Sequence, residues 1–565
     1  MNRFKKVLKI IRNLIIVLSI AFTSIVSFSF VNNFVDNDFE LAKNLDIFAS
    51  MYRELNIYYV DDIKPAKLMR SAIDSMLETL DPYTDFISET EIEDYRFMTT
   101  GQYGGIGSVI SKDEDYVIIT EPYEGYPAQK ADLRAGDKII EINGKPAVGK
   151  SVDAVSKILK GTPNTEVTIV IQRPGEEINI EKTLMREKIR VDNVPFYGMV
   201  NDSIGYINLR GFTQGAGKEV KVALTKLKEE NTLKGVILDL RYNPGGLLNE
   251  AVNVSNVFIK KGLEVVRTKG KVSEWDKIHK ATNNPVDPDI PLAVLINSNS
   301  ASASEIVSGV IQDYDRGIIL GERSYGKGLV QSTRPLSYNT QLKLTTAKYY
   351  IPSGRCIQAL DYSNRNEDGS IGKVPDSLIT KFNTQNGRAV YDGGGINPDF
   401  KVKKKVHSNI LVSLMIKRVI FDFATFYRNT NESLTNPEEF EITEELWNSF
   451  ISFINDKEYD YTTKSEKALE TFKKNSKKEE YFENVLTEFE ALETKVKHNK
   501  EADINRYKED ICHEIKAEII SRYYYRKGRI QASFENDNVV QEAVSKLSDK
   551  DNYYTTLGPL AKVSK

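Results

Sequence analysis

The fold turns on the stretch GERSYGKGLVQ, residues 321–331. It contains Gly321-x4-Gly326-Lys327, most of a phosphate-cradling loop, but Gly328 stands where that loop needs a Ser or Thr hydroxyl for magnesium. A phosphate loop must also open a helix whose N-terminal N–H groups hold the phosphates. The next segment of this chain is LVQSTRPLSYNTQLKLTTAKYYI, with Pro335, several Thr and alternating apolar residues. That pattern predicts strands. The acidic strand end VILDL, which carries Asp239, precedes the glycine loop, the reverse of the nucleotide-binding order. Both requirements fail, so Lys327 needs another role.

Around this loop, residues 187–405 alternate strands and helices. SIGYINL is followed by the polar helix GAGKEVKVALTKLKEE, and KGVILDLR by Pro244-Gly245-Gly246 and another helix. PLAVLINS leads into SEIVSGVIQDYD and then GIILG. This predicts a βαβ-rich α/β core, interrupted at 360–393 by a polar surface insertion. Upstream, 98–185 reads as short strands with one or two helices, including the Asn143-Gly144 hairpin signal and the amphipathic SVDAVSKILKG. Residues 32–97 read as helical, with PAKLMRSAIDSMLETL ending at the Asp81-Pro82 turn. After about 405 the chain turns helical and highly charged, with Phe482, Val485, Leu486, Phe489, Leu492 and Val496 expected on one stripe.

Composition bounds the chemistry. The chain has 565 residues, 28% of them charged, and a net charge of −3, which gives no pull toward nucleic acid. Two cysteines, Cys356 and Cys512, exclude a disulfide-dense scaffold and a multi-Cys zinc site, and only four histidines are present. His279 sits in a polar segment without a motif. Cys512 and His513 are neighbours on an expected helix, so their side chains diverge. The start is basic, with Arg3, Lys5, Lys6, Lys9 and Arg12, and is followed by Leu14–Val31 without a charge. At about 1.5 Å per residue this segment just crosses a hydrocarbon core. An uncleaved anchor with everything after Val31 outside the cytoplasm is the expectation.

A lysine between glycines on a tight turn beside buried strands, if desolvated, is neutral near pH 7 and takes a proton from a serine hydroxyl. NSNSASASEIVSGVIQ supplies serines at a strand-to-helix turn, where free N–H groups can hold an oxyanion. The NPGG glycines at the neighbouring strand end offer a second donor. Ser302-x-x-Glu305 also reads as a simple capping box.

DLRYNPGG (239–246), NSNSASASEI (297–306) and GERSYGKGLVQ (321–331) together resemble the carboxyl-terminal processing proteases, or tail-specific proteases, over about residues 40–402. LDPYTDF, YYIPSGRCIQ and GGGINPD also look like family segments. One departure is Cys356, where such proteins often carry serine. The resemblance, through the 25-residue spacing to Lys327, selects Ser302 over Ser298, Ser300 and Ser304 as nucleophile. It implies Lys327 as general base, oriented by Gln331, with the N–H of Ala303 and that of Gly245 or Gly246 as oxyanion donors. It implies an α/β (α+β) multidomain fold with a ClpP/crotonase-like βαβ core. The divisions are 1–31 basic flank and transmembrane helix, 32–97 N-terminal helical part, 98–186 inserted PDZ domain, 187–405 protease core and 406–565 helical extension. In the PDZ domain the backbone N–H groups near Gly105, Ile106 and Gly107 would capture a peptide's terminal carboxylate, and the peptide would add as a strand beside Ser108 and Val109.

The implied enzyme is a serine endopeptidase with no cofactor, neither metal nor nucleotide. Its expected partners are protein substrates with exposed C-terminal tails and, through the anchor, inner-membrane lipid. Nucleic acid is not a partner. The catalytic domain would be extracytoplasmic, in the periplasm where an outer membrane exists. The 406–565 helices stay open between self-association as a homo-oligomer and adaptor recruitment. A catalytically silent PDZ scaffold is the alternative.

Overall fold

The structure is a computed structural model that describes residues 38–558 apart from 366, 367, 369 and 435. The expected anchor, 14–31, lies outside the described residues; among the described residues no helix is long and apolar enough to cross a membrane. The chain divides into two compact units between Phe86 and Ile87. The first holds helices over 38–58 and Pro65–Glu78, the latter opened by proline at its first position, where no N–H is missed. Its closing turn is tied by the Asp81 carboxylate, which accepts the N–H groups of Tyr83 and Thr84, each at 2.8 Å.

The second unit begins with a small strand-rich domain. Strands β1 (Ser108–Asp113), β2 (Tyr116–Pro122), β3 (Lys138–Ile142), β4 (Glu166–Gln172) and β5 (Ile180–Met185) lie side by side in the order β1-β2-β3-β4-β5. In β4 Val167, Ile169 and Ile171 point inward and their neighbours outward, the period-2 pattern of a half-buried strand. Helix α1 (Val152–Leu159) is capped by Ser151, whose hydroxyl accepts the Ala154 N–H at 3.2 Å.

The core is a six-stranded sheet. β6 (Phe196–Met199) runs antiparallel to β7 (Ile204–Asn208), and β8 (Gly235–Asp239), β9 (Leu292–Ile296), β10 (Ile318–Gly321) and Phe400–Lys401 continue it in parallel. Every residue of β7, β8, β9 and β10 is buried, as unbroken apolar runs covered on both faces require. On one face lie α2 (Ala216–Glu230), α3 (Leu248–Phe258) and α4 (Ala303–Asp313). Beyond Gly328 the chain forms the antiparallel pair β11 (Leu329–Pro335) and β12 (Gln341–Tyr350), as the alternation predicts. The 360–393 stretch folds as two small strand pairs.

The end of the chain departs from expectation. Helix α5 (Lys508–Ser533) leads into α6 (Asn538–Ser548) and α7 (Lys550–Thr556). Phe534, Val540, Ala543, Leu547 and Tyr553 pack on Tyr206, Ile237, Ala293 and Leu295, the second face of the core sheet. Tyr553 fixes this cover by accepting the Leu292 N–H on its hydroxyl at 2.9 Å. These last helices therefore complete the core. The preceding helices keep their own centre around Ile410, Phe423, Phe450 and Ile519. The expected stripe over 482–496 breaks where a 3-10 turn, Phe482–Val485, meets helix Leu486–Val496. Only Phe482 and Phe489 of that stripe are buried, and Leu492 is exposed.

Candidate active site

The four serines between β9 and α4 have different surroundings. Ser298 is exposed on the turn. Ser300 is fully buried, its hydroxyl donating to the Leu240 carbonyl at 2.9 Å and accepting the Asn297 N–H at 2.9 Å. Ser304 is equally buried and donates to the Asn243 carbonyl at 2.9 Å. Ser302 is half-buried and holds φ +56°, ψ −112°, a conformation that side-chain-bearing residues rarely adopt. Such strain at a strand-to-helix turn lifts a hydroxyl clear of the helix it precedes. The Ser302 N–H donates to Glu305 Oε2 at 2.8 Å, one half of the expected capping box.

Glu305 does more than cap. The same Oε2 accepts the Lys327 N–H at 2.9 Å, while Oε1 accepts the Gly326 N–H at 2.7 Å and the Ser324 hydroxyl at 2.6 Å. One oxygen thus joins the backbones of Ser302 and Lys327, with their nitrogens within two hydrogen-bond lengths of each other. A second bracket comes from β12: the Tyr349 hydroxyl meets the Lys327 carbonyl and lies 3.2 Å from the Ser302 carbonyl. Glu305 is wholly buried, and desolvation pushes its carboxyl up to about 7, against four donors that favour the charged form. Lys327 itself is half-buried. Gly326 needs to be glycine: at φ +88° a Cβ would meet Ala359 Cβ at 2.4 Å. Gln331 lies on β11 and donates through Nε2 to Thr345 Oγ1 on β12 at 3.1 Å.

The NPGG turn packs directly on this pair. Gly245, at φ +100°, has no room for a side chain: a Cβ would meet the Ala301 carbonyl at 2.7 Å and Ser302 Cβ at 2.9 Å. Its N–H donates to Asn243 Oδ1 at 2.9 Å, which leaves Gly246 as the available donor of the two expected. Ala303 is the first residue of α4, so its N–H has no acceptor inside the helix. Beside the turn a groove of about 530 Å³ is lined by Leu247, Leu248, Trp275, Val330 and Arg334. Both cysteines are free, and burial raises the Cys356 thiol.

Residues 203–363 match Peptidase family S41, 118–173 match a PDZ domain, and 410–547 match the "Probable PDZ-protease, C-terminal helical domain". A carboxy-terminal-processing protease of Bartonella bacilliformis is 35% identical over 347 residues, 61% of this chain and 77% of that protein. A "Probable CtpA-like serine protease" of Staphylococcus aureus is 36% identical over 346 residues, 60% of this chain and 68% of that protein. The chain belongs to the carboxy-terminal-processing proteases of family S41. It is a serine-type peptidase with a PDZ domain. The solved photosystem II D1 C-terminal processing protease is 28% identical across 63% of this chain and 92% of that one, at a TM-score of 0.34, too loose a likeness to build on.

In this carboxy-terminal-processing protease the expected carboxylate loop, Gly105–Val109, lies just ahead of the matched PDZ span. β1 is an edge strand of its sheet, so one side of its backbone has no strand partner in that sheet. The loop's carbonyls are occupied: Ile106 accepts the Ala128 N–H at 2.8 Å and Gly107 the Tyr123 N–H at 2.9 Å. The Ser108 hydroxyl is buried with no hydrogen-bond partner among the described residues. Sequence reasoning missed Tyr349 and saw Glu305 only as a cap; its second grip, on 326–327, joins segments some twenty residues apart.

Proposed function

We propose that this carboxy-terminal-processing protease is a membrane-anchored serine endopeptidase with a Ser302–Lys327 dyad, which takes protein C-terminal tails into its PDZ domain. The supporting observation is the shared Glu305 oxygen that joins Ser302 and Lys327. Neutral Lys327 accepts the Ser302 Oγ proton as that oxygen attacks the scissile carbonyl carbon. The oxyanion is held by the N–H groups of Ala303 and Gly246. As the C–N bond breaks, the Lys327 ammonium protonates the leaving amine. Lys327 then takes a proton from water, the hydroxide opens the acyl ester, and Ser302 recovers its proton. Gln331 steadies the lysine from β11.

The PDZ reading rests on the edge position of β1, beside which an extended peptide tail can add as a strand. The anchor, Leu14–Val31, places the catalytic unit on the extracytoplasmic face. The test is cleavage of an unfolded protein with an apolar C-terminus by the full chain. Ser302→Ala and Lys327→Ala should each lose at least about three orders of magnitude with melting unchanged. Equal residual cleavage in parent and variants would sink the dyad and favour a silent PDZ scaffold.

A further inference from the structure

The ion pair at the head of the NPGG loop has a third member from the far end of the chain. Asp239 is 3% exposed and accepts the Tyr206 hydroxyl at 2.6 Å. Arg241 Nε lies 3.0 Å from each Asp239 oxygen, and Nη2 2.6 Å from Oδ2. The outer edge of the same guanidinium grips Asp537: Nη1 to Oδ1 at 3.0 Å and Nη2 to Oδ2 at 2.7 Å. Asp537 also caps α6, accepting the Val539 N–H at 3.1 Å and the Val540 N–H at 3.2 Å on Oδ1. Phe534, just before it, stacks edge-on against Tyr206 with ring centroids 4.8 Å apart.

A guanidinium held on two edges by carboxylates of different elements has its position and plane fixed. The backbone then runs from Arg241 straight into the site. Tyr242 sits at φ +60° with its N–H on Asn297 Oδ1 at 3.0 Å, and Asn243 donates to the Leu209 carbonyl at 2.8 Å. Two residues on, Gly245 abuts Ser302. The charge triad borders a cavity of about 380 Å³, and the Arg241 and Asp537 side chains keep 15% and 21% exposure. Water can therefore reach the pair if it is broken, and the fold can survive the loss.

We infer that Asp537 is a positioning residue for peptide-bond cleavage: through Arg241 it sets the Asp239–Gly246 loop against Ser302. This rests on Ser302 being the nucleophile. The last helical segment thereby serves the reaction without touching substrate.

The test uses the full-length chain in detergent and a fluorogenic peptide with an apolar C-terminus. Asp537→Asn keeps a good helix cap and removes the charge. The expected result is a kcat at least about tenfold lower with KM and melting temperature unchanged, and partial recovery in Asp537→Glu. Leu547→Ala, which loosens the packing of α6 on the sheet without touching Arg241, should lower melting and leave kcat intact at temperatures below it. The inference is overturned if Asp537→Asn keeps the parental kcat, or if its kcat loss merely tracks lost melting temperature as in Leu547→Ala. Parental activity in Ser302→Ala would instead overturn the dyad itself.

Discussion

At the residue scale, Glu305 joins the backbones of Ser302 and Lys327, the proposed nucleophile and base. Its carboxyl ionises near 7 in the fold and near 4.5 in the unfolded chain. Between those values the folded state holds a proton the unfolded state has lost, so this group's contribution to stability falls as pH rises through the window. Only the ionised form accepts from all four donors with no proton of its own turned toward them. Glu305→Gln therefore removes a pH-dependent part of stability on the order of a few kcal/mol. Denaturant titrations at pH 5 and pH 8 should show the parent's advantage over the variant shrinking at the higher pH; a constant gap contradicts the assignment. The amide also turns a donor toward N–H groups, so kcat/KM should fall by about a hundredfold. Glu305 was legible in sequence only as half of a capping box, because the pattern Ser-x-x-Glu carries the local bond and says nothing of residues 326 and 327. Tyr349 opens the family segment YYIPSGRCIQ, but nothing in that segment gives it a role.

At the scale of elements, the site is three turns meeting at the carboxyl ends of the neighbouring strands β8, β9 and β10. The NPGG turn is positioned by close approach. Gly245→Ala forces a side chain into the Ala301 carbonyl at a φ that strains it by about 1–3 kcal/mol. The variant should stay folded, with a modest fall in melting temperature by calorimetry, and lose most peptidase activity; full activity would place the turn outside the site. In the PDZ domain the buried Ser108 hydroxyl costs stability while it lacks a partner. Ser108→Ala should therefore melt at or slightly above the parent by calorimetry. A clear fall in melting temperature would contradict that cost. The motifs at 239–246, 297–306 and 321–331 were readable because each sits at the end of a strand whose apolar run is continuous, and a turn after such a run is where an α/β sheet gathers its chemistry.

At the scale of the whole molecule, the protease sheet is finished by the end of the chain. The apolar runs of β8 and β9 read as buried strands, but α2, α3 and α4 cover only one face of the sheet. The second cover, α6 and α7, comes more than two hundred residues after β10 in a highly charged segment. Its amphipathic pattern predicts helices without naming the surface they meet. A chain ending at Ser533 would bare the sheet by removing Phe534, Val540, Leu547 and Tyr553. At about 1.5–3 kcal/mol for each large apolar side chain, that loss rivals the stability of a whole domain. The shortened chain should be insoluble or molten by near-ultraviolet circular dichroism; a soluble product with parental melting would show that the helices are an accessory.

The dyad is tested most directly by covalent capture. The full-length chain is treated with a fluorophosphonate and its peptides are mapped by mass spectrometry. The expected result is one adduct per chain on Ser302, abolished in Ser302→Ala and formed at least about a hundredfold more slowly in Lys327→Ala. An adduct on Ser298, Ser300 or Ser304, or an undiminished rate without Lys327, would contradict it.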